Sequence, residues 1–252
     1  MSSKKWEAPI SVWVRAICQW FYVGTVALVL WVLTYFPMGP LMILTSKKGK
    51  NVFGEEYAKH DQKYIDQGAS GEWYYIGNWI PILQWFSCYE DSLTGEPSGK
   101  HSARVKGKEN TFWNKYLWTI RNPFNYLKRT TRFFACYVNE SVIKYWGDRE
   151  LSDKNMEQDG SYLVMAVDQG TKKTYYGYRK VVYFDKLGWY LKLKEIFKET
   201  SSLKKYSHLL ENKVFQATFG YKIKPTHDTE IQDWDDRDKA FTFRVQIWAN
   251  IN

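Results

Sequence analysis

Four histidines (His60, His101, His208, His227) and three cysteines (Cys18, Cys88, Cys136) are the side chains best suited to bind a metal or act as nucleophiles. None has the spacing of an HxxxH, HExxH or CxxC pair, so neither a zinc site nor a disulfide scaffold is predicted. The densest set of oxygen ligands is Asp228, Glu230, Asp233, Asp235, Asp236 and Asp238. A calcium loop alternates its ligands around a central glycine and closes on a glutamate; this run contains no glycine. It reads as a solvated loop between strands. The sequence has no GxSxG elbow, no Gly-rich phosphate loop and no kinase signature. The aromatic surroundings of Cys88 and Cys136 favour buried, inert thiols. No catalytic residue, metal or cofactor is predicted.

Cations and rings carry the remaining chemistry. The 252 residues hold 36 Lys and Arg against 27 Asp and Glu, with 13 Trp, 19 Tyr and 14 Phe. Trp113, Leu117, Ile120, Phe124, Leu127 and Phe134 recur at helical spacing, and Lys115, Arg121, Lys128, Arg129 and Arg132 surround that stripe. Such a helix can lie on an anionic leaflet, each cation adding about 1 kcal/mol near the surface. It can equally pack its stripe on the protein's own sheet. Pro123 predicts a break near Arg121–Asn122. The residues expected to contact membrane or partner are Arg121, Asn122, Asn125, Lys128, Arg129, Arg132, Trp113 and Phe124. Single-stranded nucleic acid is the competing partner, since cations neutralise phosphates and rings stack on bases. No recognition motif for nucleic acid supports it.

The element that would bring these residues to a membrane lies near the start. From Ala16 to Ser46 no residue is charged, and Ile17 to Phe36 alone supplies the ~20 residues of a hydrocarbon crossing. Trp13, Trp20, Trp31, Tyr22 and Tyr35 add rings of the kind found at membrane borders. Pro37, Gly39 and Pro40 end the helix. Lys4, Lys5 and Arg15 precede the span, whereas Lys47, Lys48, Lys50, Lys59 and Lys63 follow it, which leans toward a cytoplasmic carboxyl-side domain. A second uncharged run, Trp73 to Tyr89, contains Gly77 and Pro81 and reads as interfacial or buried. Ser92 to Lys108 reads as a polar loop.

Beyond Ser161 the period changes to two. Strands are predicted at Tyr162–Val167, Thr174–Phe184, Trp189–Phe197, Phe215–Ile223 and Phe241–Ile247, with a short helix within Leu203–Asn212. The expected fold is α+β, with an N-terminal transmembrane helix, amphipathic helices and an antiparallel β-rich C-terminal domain of about five strands. The expected organisation is a membrane segment at 1–46, an aromatic segment and polar loop at 47–110, and a basic helix with the β-rich domain at 111–252.

The run Arg121-Asn122-Pro123-Phe124-Asn125 before aromatic residues, and Gly220-Tyr221-Lys222-Ile223-Lys224-Pro225 near the end, resemble motifs in uncharacterised membrane-associated proteins of tailed bacteriophages. The resemblance covers mainly residues 113–138 and 175–248; the Asp-rich loop departs from it. It implies a phage-encoded accessory protein at the host inner membrane, with a host or phage protein as partner and anionic lipid as support. It implies no catalytic residue.

Overall fold

The computed structural model describes residues 8–45, 47–48, 74–75, 80–86, 111–121, 123–124, 127–128, 131–148, 159–225 and 238–250. Residues 226–237 with the Asp-rich run up to Asp236, the polar loop at 92–108, Cys88, His60, His101, Asn122, Asn125 and Arg129 lie outside the described residues, as do the side chains of Lys115, Arg121 and Asp238.

In chain order the helices are α1 (Ile10–Leu33), α2 (Gly39–Leu44), α3 (Pro81–Gln84), α4 (Phe112–Arg121) and α5 (Gly188–Glu199). The strands are β1 (Lys47–Lys48), β2 (Tyr74–Tyr75), β3 (Ala135–Tyr137), β4 (Ser141–Gly147), β5 (Gly160–Asp168), β6 (Thr174–Tyr183), β7 (Lys213–Tyr221) and β8 (Asp238–Asn250). Two compact units result, one of residues 1–24 with 132–252 and one of residues 25–131.

The first unit is built on a six-stranded antiparallel sheet in the order β3-β8-β7-β6-β5-β4. From β4 to β8 each strand pairs with the next in sequence, the meander that alternating apolar and polar positions specify. The β5–β6 turn is fixed locally: Asp168 Oδ1 accepts from the Thr171 N–H at 2.7 Å, and Lys172 takes a φ of 58°. Strands β3 and β4 raise the count above the expected five. Strand β4 carries a weak signal because Val142 on it is exposed.

One expectation is corrected. Trp189–Phe197 is not a strand but lies within helix α5. Tyr190 joins Phe184 and Leu210 in a small core, with Leu187, Leu193, Phe197 and Phe215 packed against it. The α5 members of that set recur every three or four residues, whereas Trp189, Leu191 and Ile196 are exposed. The apparent period of two mixed buried with exposed positions, the ambiguity expected of a short apolar run. The helix expected near Leu203–Asn212 is a 3-10 helix at Lys204–Leu210.

In the second unit, Thr25 to Leu33 continue α1 before a short π-helical stretch at Thr34–Met38. Phe36, preceding Pro37, has extended dihedrals (φ −158°, ψ 128°), as the proline ring requires of its neighbour. Tyr116 on α4 donates its hydroxyl to the Tyr35 carbonyl at 2.9 Å, giving that group a partner beside the break. Helix α4 stops at Arg121, two residues before Pro123, where a break was expected.

Candidate membrane-facing site

Helix α1 has two contrasting stripes. Ala16, Trp20 and Val23 are buried, whereas Ile10, Val14, Ile17, Phe21, Leu28 and Val32 are exposed, Phe21 to 77%. The exposed set recurs at intervals of three, four or seven, so it forms one apolar stripe along the helix. A stripe of this length open to water is unfavourable, since each large apolar side chain gains about 1.5–3 kcal/mol on leaving water.

The buried stripe is fastened to β6 by polar atoms. Gln19 Nε2 donates to the Thr174 carbonyl at 2.6 Å, and its Oε1 accepts from the Tyr176 N–H at 3.0 Å. Trp20 Nε1 donates to the Tyr176 carbonyl at 2.9 Å. Pairing between β6 and β7 begins at Gly177 with Gly220, so these side chains bond β6 just beyond the point where β7 departs. Rings complete the seat: Trp13 meets Tyr178 edge-on at 5.4 Å, and Trp20 lies 6.1 Å from Phe219.

The apolar surface continues across the sheet. Phe219 contacts Phe243 of β8 at 4.6 Å, and Ala217 pairs with Val245. Alternation puts Phe243, Val245 and Ile247 on the same face as Phe219. All three are exposed, Phe243 to 69% and Ile247 to 72%. Between Val214 and Gln216 the register shifts, so Ile247 and Trp248 together stand opposite Phe215. This bulge turns Trp248 toward α5, where it meets Phe184 at 5.4 Å and Tyr190 at 5.7 Å.

The expected contact residues are distributed differently. Trp113 is 61% exposed and stacks with Tyr116 at 5.7 Å. Phe124, by contrast, is buried with a φ of 45°, and Lys128 Nζ lies 4.2 Å from its ring centre. Arg132 is engaged within its own unit: its guanidinium bonds Asp168 and, at 2.5 Å, Glu140, and it lies over the Tyr137 ring. The hydrogen bond to Glu140 is the main reason its pKa is raised.

The Asp168 side chain is fully buried. Burial pushes its carboxyl pKa up, but the Thr171 amide and hydroxyl and Arg132 together hold it below the ordinary value. Nearby, burial raises the Cys136 thiol to about 12, which leaves it protonated and unreactive. On the other face of the sheet Arg179 is buried, in register with Tyr162 and Thr218. Burial, and then the charge of Arg244, bring its pKa down to about 10. Among the described residues no His, Cys, Asp and Glu cluster could hold a metal ion.

Sequence reasoning missed Gln19, Trp20, Gly220 and Asp168 as organising residues. The one available signal was Gln19 itself, an amide within an apolar helix.

The profile of a family of unknown function, DUF7338, matches residues 12–205, and the chain belongs to that family. No curated protein and no solved structure matches the chain.

Proposed function

We propose that this protein is a non-enzymatic, membrane-associated accessory protein that holds its sheet unit at a bilayer, where it recruits or modulates another protein. The observation that carries this reading is the exposed apolar stripe of α1. It lies within Ile10–Leu44, the one segment among the described residues long and apolar enough to cross a membrane. Gln19 and Trp20 tie the first part of that segment to β6, and strand backbone is tolerated poorly in hydrocarbon. Chain on both sides of Thr25–Leu44 belongs to the sheet unit, so this uncharged stretch, broken at Phe36–Pro37, enters the bilayer and leaves it on the same side in this reading. The lysines after the segment favour a cytoplasmic sheet unit. For a phage-encoded chain, the bilayer is the host's inner membrane.

The test is the partition of the full-length protein after cell lysis. Retention in the membrane pellet through alkaline washing, with release only by detergent, is the expected result. Recovery as a water-soluble monomer without detergent would overturn the reading.

A further inference from the structure

The apolar stripe of α1 and the strands beneath it impose opposing demands. Ile10, Val14 and Ile17 need an apolar neighbour on their open side. The same stretch of helix is bonded to β6, whose sheet must stay out of hydrocarbon. Both demands are met if this unit rests on the membrane surface with that side down, in the interfacial layer where Trp and Tyr rings concentrate.

The β8 ridge fits the same arrangement. Phe243 is joined to α1 through Phe219 and Trp20, each ring in contact with the next. Phe243, Val245 and Ile247 are exposed and carry no charge. Lys180, exposed and in register with Ala217 and Val245, puts a cation at the rim of this surface, where a headgroup phosphate would meet it. From this continuity we propose that Phe243, Val245 and Ile247 form a second lipid contact, docking the sheet unit onto the bilayer beside α1. The proposal rests on the reading of Ile10–Leu44 as a membrane anchor.

The experiment uses the full chain in vesicles of phosphatidylcholine and phosphatidylglycerol with brominated acyl chains. An environment-sensitive fluorophore is attached at Leu28→Cys, Phe243→Cys, Ile247→Cys or Arg244→Cys, each combined with Cys18→Ser and Cys88→Ser. Cys136 is kept, because its buried thiol does not label. Arg244 alternates with Phe243 on β8 and reports the other face. Loss of emission at 28, 243 and 247 but not at 244 is the expected result. Loss at 28 alone overturns the docking surface and leaves the anchor standing. Loss at none of the four positions overturns both. Equal loss at all four overturns the docking surface, because contact would not be confined to one face. The unmodified protein, crosslinked to a lipid bearing a photoreactive acyl chain, checks the labelled variants independently. Lipid on the peptide containing residues 243–247 supports the proposal; lipid on α1 peptides only overturns it.

Discussion

The Trp20 indole occupies the space that a side chain at Gly220 would fill. A Cβ at position 220 would lie 2.2 Å from Trp20 Nε1 and 2.1 Å from the Tyr176 carbonyl oxygen, and the residue has a φ of 81°. Gly220→Ala is therefore strained by both conformation and contact, and should destabilise the first unit by roughly 2–4 kcal/mol. Denaturant titration in detergent measures this. Trp20→Phe in the same background should recover part of the loss, because it removes the clashing Nε1.

Gln19→Leu keeps the apolar character of α1 but leaves the Thr174 carbonyl and the Tyr176 amide without their helix partner. The expected cost is about 1–3 kcal/mol for each group left unsatisfied. Hydrogen exchange at the Tyr176 amide gives the direct readout. It should accelerate in the variant, while amides of the β4–β5 ladder change little.

Asp168 ties the β5–β6 turn to Arg132. Its folded pKa is below the ordinary value, so its contribution is complete above ordinary carboxylate pKa values and is lost as pH falls through the folded one. Asp168→Asn should cost roughly 1–3 kcal/mol near neutral pH. The gap between wild type and variant should narrow in the acid range below about pH 4. Unfolding titrations of both proteins across that range test the sign.

Leu28 is exposed on the apolar stripe of α1. A lysine there should oppose membrane insertion by roughly 3 kcal/mol. Leu28→Lys should therefore shift the protein from the membrane pellet toward the soluble or aggregated fraction. Unchanged partition would mean that this position does not face lipid.

Tyr190 is fully buried in the small core and donates its hydroxyl to the Leu210 carbonyl. Tyr190→Phe retains the ring and loses the bond, at a cost of about 1 kcal/mol in thermal or denaturant unfolding.

Much of the architecture was legible wherever a pattern repeats locally. The uncharged segment marked α1, and alternation marked the strands at 160–168, 174–183, 213–221 and 238–250. Strand β3 was too short to show a period, and β4 alternates about exposed Val142 and Lys144. Helix α5 was misread because Trp189 and Leu191, though apolar, are exposed. The seat of α1 was illegible for another reason. Gln19 and Thr174 are 155 positions apart, and nothing near either residue announces the other. Arg132 could be recognised as a cation in an aromatic neighbourhood, but its carboxylate partners arrive from β5 and from the residues before β4.

The bulge opposite Phe215 lets one strand serve two purposes, because Ile247 stays with the open ridge while its neighbour Trp248 packs its ring on Phe184 and Tyr190. The irregularity thus acts as a phase setter. Deleting a single residue between Arg244 and Ile247 would restore an even ladder: Trp248 alone would stand opposite Phe215, still on the side of Phe184 and Tyr190, and Ile247 would turn to the other face beside Gln216. A change of one in chain length, with no change in composition to speak of, would take the last side chain off the open ridge.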